Sequence, residues 1–333
     1  MSVDDRPKRV TSADVAREAG VSRTTVSYVL NGTPHQKIPE ATQQRILDVA
    51  ERLGYAPSAA ARALRSGRSD VVLCLLPDWP IGPAMGSLLE TLSTSLAAEG
   101  LTLYAHPRAA GRPVSAVWRS LGPAAVVLWD ELDDSEIAAM RSAGIAVTVA
   151  LLSPTGRRHS ELLVPQQRIG RVQAEHLAAT GHRLIGYAYP DDPRVKGFAE
   201  PRLEGVRTAC AELGLDAPVV RTVPMDAEAA ADAVRAWVAE GVTGVCAYND
   251  DVALAVLAGT RIAGVAVPGD LALVGVDDIP AAPFASPPLT TVDTEQGVIA
   301  EYIAAIVTRA ISGKPAPRRP GSDIVHLIRR ESA

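Results

Sequence analysis

Residues 21–32 read VSRTTVSYVLNG, and the spacing of their apolar side chains decides how the N-terminal part of the chain folds. Val26, Val29 and Leu30 recur at i, i+3 and i+4, which puts them on one face of a helix and predicts that this face is buried. At roughly 100° per residue the opposite face carries Thr24, Ser27, Tyr28 and Asn31, with Arg23 at its N-terminal edge. An arginine and an aromatic residue turned away from the buried stripe need a use outside the core. Upstream, Thr11 followed by Asp14 is a capping-box start, and Val15, Ala16 and Ala19 form a stripe that stops at Gly20. Ser22 is a good N-cap for the second helix. Beyond the loop NGTPHQKIPE, Ile46, Val49, Ala50 and Leu53 mark a third helix ending at Gly54. Two short helices joined by a glycine turn and braced by a third make the helix-turn-helix pattern.

Charge supports a separate role for this region. Of the 33 Lys/Arg and 38 Asp/Glu in 333 residues, positions 1–69 hold 11 and 7, a net +4, which leaves 22 and 31, a net −9, for the remainder. A basic module ahead of an acidic body is the electrostatic footprint of a nucleic-acid-binding head. The composition, 47% hydrophobic and 21% charged, is that of an ordinary globular protein. No apolar run is long enough to span a membrane and the N-terminus lacks an export signal, so a cytoplasmic location without membrane partners is expected. Cys74, Cys210 and Cys246 are odd in number and set among apolar residues, which predicts buried free thiols rather than a disulfide or metal site.

The next stretch, PSAAARALRSGRS, is rich in helix-forming alanine from Ser58 to Arg65. A helix of about two turns is marginal alone because nucleation is costly, so this one reads as a linker helix stable only with a partner. From Asp70 onward apolar runs alternate with amphipathic patterns. Strands are predicted over residues 71–76, 101–106, 124–129, 146–150, 184–188, 219–223, 244–247 and 271–276. The intervening helices include 85–98, 166–180, 203–213 and 227–240. This alternation implies parallel sheets covered on both faces, and the loop LLSPTGRRHSELLVP divides the strands into two sets. The expected fold class is α/β: an all-α helix-turn-helix head followed by two doubly wound parallel-sheet lobes. In such sheets ligands sit beyond the carboxyl ends of the strands, so two facing lobes enclose a cleft.

At this point the chain resembles the lactose-repressor (LacI/GalR) family of transcription regulators. The resemblance is carried, in the family's order, by VTSADVAREAGVSRTTVSYVLNG, RILDVAERLGYAPSAAARALRSGRS, HLAATGHRLIGY, PRLEGVRTACAELGL, GVCAYNDDVALAVL and VPGDLALVGVDDIPAAPFASPPLTTV. It implies a homodimeric repressor that binds double-stranded, pseudo-palindromic operator DNA and is gated by a small-molecule effector between two lobes of the type I periplasmic-binding-protein kind. The implied organisation is a head at 1–57, a hinge helix and linker at 58–69, one lobe at 70–160 plus 291–316, and a second at 161–290 plus 317–333. By the same resemblance Arg23, Thr24 and Tyr28 fall at base-reading positions, and Ser22, Thr25, Asn31 and Thr42 at phosphate-contacting ones. Leu64 falls where the family drives a leucine between base steps from the minor groove. Trp79, Arg202, Asn249 and Asp277 fall at effector-binding positions. Alternatives stand beside these assignments: Ser22 and Asn249 as helix caps, Arg202 paired with a neighbouring acid, Leu64 as a linker residue.

Two departures from the family pattern bear on the ligand. DWPIGPAMGS replaces the usual NPFF after the first strand, so the aromatic at the cleft mouth is either Trp79 or absent. In VPQQRIG, Pro165 stands where sugar-binding members carry a carboxylate, so sugar specificity does not follow. No GxSxG, GxxxxGK[ST], GxGxxG, HExxH or CxxC motif occurs, and neither catalysis nor a cofactor is expected. The rival reading is a two-lobe solute-binding protein without DNA regulation.

Overall fold

The structure, a computed structural model, describes residues 10–30, 38–55, 69–108, 113–130, 132–150, 163–321 and 324–333. Asn31, Leu64 and the helix expected at 58–65 lie outside the described residues. The chain divides into two units, Met1–Ser69 and Asp70–Ala333.

The head contains three helices among its described residues, α1 (Ser12–Ala19), α2 (Arg23–Leu30) and α3 (Glu40–Arg52). The capping box forms: the Asp14 carboxylate accepts from the Thr11 N–H at 3.0 Å, while Thr11 Oγ1 accepts from the Asp14 N–H at 3.4 Å. Gly20 ends α1 at φ 64°, a left-handed conformation that glycine adopts without a Cβ penalty, and the chain can turn at once into α2. The core is Val15, Ala16, Ala19, Val26, Ile46, Val49 and Ala50, with Val29 and Leu30 packed at its edge.

The second unit holds two sheets. In the first, β1 (Val71–Leu76), β2 (Thr102–Pro107), β3 (Ala125–Leu128) and β4 (Ala146–Val149) run parallel in the order β2-β1-β3-β4. The second contains β5 (Ile185–Pro190), β6 (Val219–Val223), β7 (Gly244–Ala247), β8 (Ala272–Val276), β9 (Thr290–Asp293) and β10 (His326–Ile328) in the order β10-β9-β8-β7-β5-β6. The near-continuous apolar runs of the inner strands β1, β3, β7 and β8 are buried, as strands covered by helices must be. The covering helices are α4 (Pro83–Ala98), α5 (Val114–Leu121), α6 (Asp134–Ser142), α7 (Gln166–Ala179), α8 (Lys196–Glu212), α9 (Ala227–Ala239), α10 (Asp250–Ala263) and α11 (Gln296–Ile311). All three cysteines are free and buried. No helix among the described residues is long and apolar enough to cross a membrane.

Three features correct the sequence reading. β10 pairs antiparallel with β9, so the second sheet is not wholly parallel. The edge strand β2 is mostly exposed, with Tyr104 at 47%, so the first sheet is not covered along its whole width. And β9, which was not expected as a strand, pairs with β8, so the chain leaves the second sheet after Asp293 rather than at 291. Apolar periodicity hides β9 because its buried centre is Thr290 and Thr291, whose hydroxyls are satisfied inside. Thr291 Oγ1 donates to Asp250 at 2.6 Å, and Thr290 Oγ1 accepts from the Arg330 N–H at 3.0 Å. After the crossover α11 packs on α4, β3 and β4, burying the stripe Ile299, Ala300, Ile303, Ala304 and Val307.

One helix pair positions the site. α7 and α8 cross so closely at Gly170 and Gly205 that a Cβ at Gly170 would overlap the backbone carbonyl of Arg202, and one at Gly205 that of Gln167. The contact is backbone on backbone, so only glycine serves at these two positions.

Candidate functional site

In the head, α2 turns Val26 into the core and leaves Arg23 and Thr24 exposed. Tyr28 is half-buried rather than fully exposed. Ser22 is a cap: its Oγ accepts from the Thr25 N–H at 3.0 Å and stands 2.8 Å from Thr25 Oγ1. Thr42 lies in the first turn of α3, its N–H bonded to the Pro39 carbonyl at 2.9 Å and its side chain half-buried. Ser22, Arg23, Thr24, Thr25 and Tyr28 thus come from one short helix and its cap.

In the second unit a cavity of about 670 Å³ opens between the two lobes. Its wall is made where strands end, as open α/β sheets require. Trp79 follows β1, Asp191–Arg194 follow β5, Tyr248 and Asn249 follow β7, and Asp277 follows β8. All four residues expected at the effector site, Trp79, Arg202, Asn249 and Asp277, line this one cavity.

Arg202 is its centre. The guanidinium is 7% exposed, donates from Nε to Gln166 Oε1 at 2.9 Å and from Nη1 to the Tyr248 carbonyl at 2.7 Å, and lies over the Tyr248 ring at 4.9 Å. Its Nη2 stands 3.8 Å from Asp277 Oδ1. The expected pairing with a neighbouring acid is therefore present, with an amide and a carbonyl added. Gln166 sits directly after Pro165 and gives Arg202 a hydrogen-bond acceptor without a charge. Asp277 adopts φ 102°, a strained backbone that Asp tolerates better than most residues. Burial pushes its carboxyl above the usual range, against the pull of Arg202.

Asn249 caps α10: its Oδ1 accepts from the Val252 N–H at 3.0 Å, and its side chain also hydrogen-bonds Asp251. Behind it, Asp250 is fully buried and accepts from Thr291 Oγ1 at 2.6 Å and from the Ile279 N–H at 2.9 Å, fastening the loop after β8 to α10. The lack of a side chain at Gly275 makes room for it. Burial pushes the Asp250 carboxyl up to about 7 from 3.8, outweighing those two hydrogen bonds. A carboxyl raised on folding adds stability below its unfolded value and loses it as pH rises through the folded one. The second unit should therefore lose stability between about pH 4 and pH 7, on the order of 4 kcal/mol for full ionisation of a group shifted this far. Thermal melts from pH 5 to 8 should show a falling midpoint that Asp250→Asn flattens, and an unchanged slope in that variant would contradict the assignment.

Two comparisons decide what the arrangement belongs to. Residues 11–58 match the family described as bacterial regulatory proteins, lacI family, and residues 174–333 match the periplasmic binding protein-like domain. The chain joins a lacI-family head to a periplasmic binding protein-like domain. Among its relatives, the HTH-type transcriptional repressor PurR of Photobacterium profundum is 28% identical over 97% of this chain and 98% of its own. The HTH-type transcriptional regulator MalR of Streptomyces coelicolor is 29% identical over 96% and 95%. The crystal structure of the lac repressor dimer bound to operator and the anti-inducer ONPF superimposes with a TM-score of 0.76, at 21% identity over 98% of this chain and 99% of that one, and so shares the fold.

Sequence reasoning missed several residues that line the cavity: Gln166, Asp192, Arg194, Phe198, Tyr248 and Asp251. Phe198 meets Trp79 edge-to-face at 4.8 Å across the cavity mouth. Asp192 caps the turn of Pro193–Val195 and takes Arg194 in a two-pronged pair at 2.6 to 3.1 Å. A usable signal existed in DDPR, charged residues separated by two positions from the end of the strand predicted at 184–188, where ligands of such sheets lie.

Proposed function

We propose that this chain is a transcriptional repressor that binds a pseudo-palindromic operator as a homodimer and responds to a small molecule in the interlobe cavity. Arg23, Thr24 and Tyr28 would read base edges in the major groove, while Ser22, Thr25, Asn31 and Thr42 would touch phosphates and Leu64 would wedge the minor groove. Trp79, Arg202, Asn249 and Asp277 would hold the ligand. The head would span 1–57 and the hinge 58–69. The observation that carries the reading is α2: a capped helix whose single fully buried residue is Val26, leaving Arg23 and Thr24 bare on the same element as Tyr28. It is supported by a relative named as a repressor and by the family's pairing of such a head with a two-lobed body. The proposal is a regulator rather than an enzyme, and it places the protein with DNA in the cytoplasm.

Tyr28 sets the sharpest test. Tyrosine lacks the fork of donors that arginine offers guanine, but it can donate one hydrogen bond or pack its ring on a thymine methyl. Site selection from random duplex DNA should yield a two-fold symmetric site, and Tyr28→Arg should shift the preferred base at one position per half-site, a discrimination of about 1–3 kcal/mol. Identical preferred sites would remove Tyr28 from the reading set, and no discrete site at moderate salt would remove the function itself.

A further inference from the structure

We infer that the interlobe cavity selects an organic cation, a protonated amine carried on an apolar or aromatic frame. This deepens, and rests on, the proposed reading of the cavity as the effector site. Charge in the cavity wall does not balance. Four carboxylates, Asp191, Asp192, Asp251 and Asp277, line the cavity against two guanidiniums, Arg194 and Arg202. Arg194 is taken up by Asp192 and lies 3.6 Å from Asp78 as well. Arg202 spends two of its three nitrogens on Gln166 and the Tyr248 carbonyl and turns the third towards Asp277. Two carboxylates are left over.

Asp191 is exposed at the rim, whereas Asp251 is half-buried and faces the ligand space. Its hydrogen-bonding partner is the Asn249 side chain, and it forms no ion pair among the described residues. One of its carboxylate oxygens lies 3.6 Å from where a Cβ on Gly82 would stand, at the start of α4 of the other lobe, and among the described residues the carboxylate's one hydrogen bond comes from Asn249 rather than from that helix. The first turn of its own helix, α10, and the start of α4 offer it partial positive charge only. Burial raises its carboxyl, and the Asn249 hydrogen bond offsets this only in part. A ligand ammonium supplies that compensation as a charge-assisted hydrogen bond. A ligand carboxylate would instead meet Asp251 and Asp191 with both guanidiniums already engaged. The rest of the wall suits a greasy frame, with Trp79, Phe198, Met85, Met225, Ile279 and Ile299 around it. Trp79 and Phe198 also line the cavity, and the face of an aromatic ring attracts a cation.

The test uses the full chain and calorimetric titration with three sets of matched probes: phenethylamine, 2-phenylethanol and 3-phenylpropionate; the cyclohexyl equivalents of these; and glucosamine, glucose and glucuronate. At least one amine should bind about tenfold or more tightly than its hydroxyl analogue, with the carboxylate weakest. Asp251→Asn should erase that preference, and Asp251→Glu should keep it, provided both variants melt like the parent. The inference is overturned if no amine binds, if an alcohol, sugar or carboxylate binds as tightly as its amine in every set, or if Asp251→Asn retains the preference. Operator affinity measured in the same samples separates the two levels. A neutral or anionic probe that binds and shifts operator affinity preserves the gating function and sinks the cation. An amine that binds through Asp251 without changing operator affinity preserves the cation and sinks the gating.

Discussion

Replacing Arg202 with leucine is expected to destabilise the unit Asp70–Ala333 by about 3–5 kcal/mol, the range for breaking a buried ion pair by removing one partner. The loss has three parts. Asp277 would keep a buried carboxylate without its cation, Gln166 Oε1 would lose its donor, and the Tyr248 carbonyl would lose the hydrogen bond now at 2.7 Å. The stranded charge is the largest of these, and that makes the prediction separable. Asp277→Asn in the same background removes the charge while keeping a residue that tolerates φ 102°, so the double variant should recover a measurable part of the loss. Urea unfolding of the single and double variants reads both effects. A single variant within about 1 kcal/mol of the parent would mean that Arg202 is not the hub of the cavity wall.

Gly205→Ala is expected to destabilise the same unit by about 3 kcal/mol, at the upper end for an overpacked interior. The added methyl would meet the backbone of Gln167, which cannot swing aside as a side chain can, so α7 and α8 must separate. Because Gln166 and Arg202 stand on those two helices, their 2.9 Å hydrogen bond should weaken with the separation, and cavity affinity should fall along with stability. Gly86, in α4, is the contrast. A Cβ there meets open space, and Gly86→Ala should stabilise by up to about 1 kcal/mol through helix propensity alone. Equal effects at the two glycines in thermal melts would refute the close-crossing argument.

The sequence by itself determined whatever depends on neighbours within a few residues. Ser22 as a cap, Gly20 as a left-handed stop, Val26 as the buried anchor of α2, and the strands at 71–76, 219–223 and 244–247 all follow from spacing of 2, 3.6 or a terminal turn. Strand ends could be located in this way, whereas Trp79, Arg202, Asn249 and Asp277 were pointed to by the family resemblance. The tertiary structure alone decided which of these groups meet and which are already used. Asn249 proved to cap α10, Arg202 to be shared between Gln166 and Tyr248, and Asp251 to be the carboxylate left over. It also turned Thr290 and Thr291 into a buried strand and made Gly170 and Gly205 obligatory. The reason is physical: periodicity records that a residue is turned inward, but charge compensation, hydrogen-bond satisfaction and steric overlap depend on partners tens of residues away, which only the packed chain brings together.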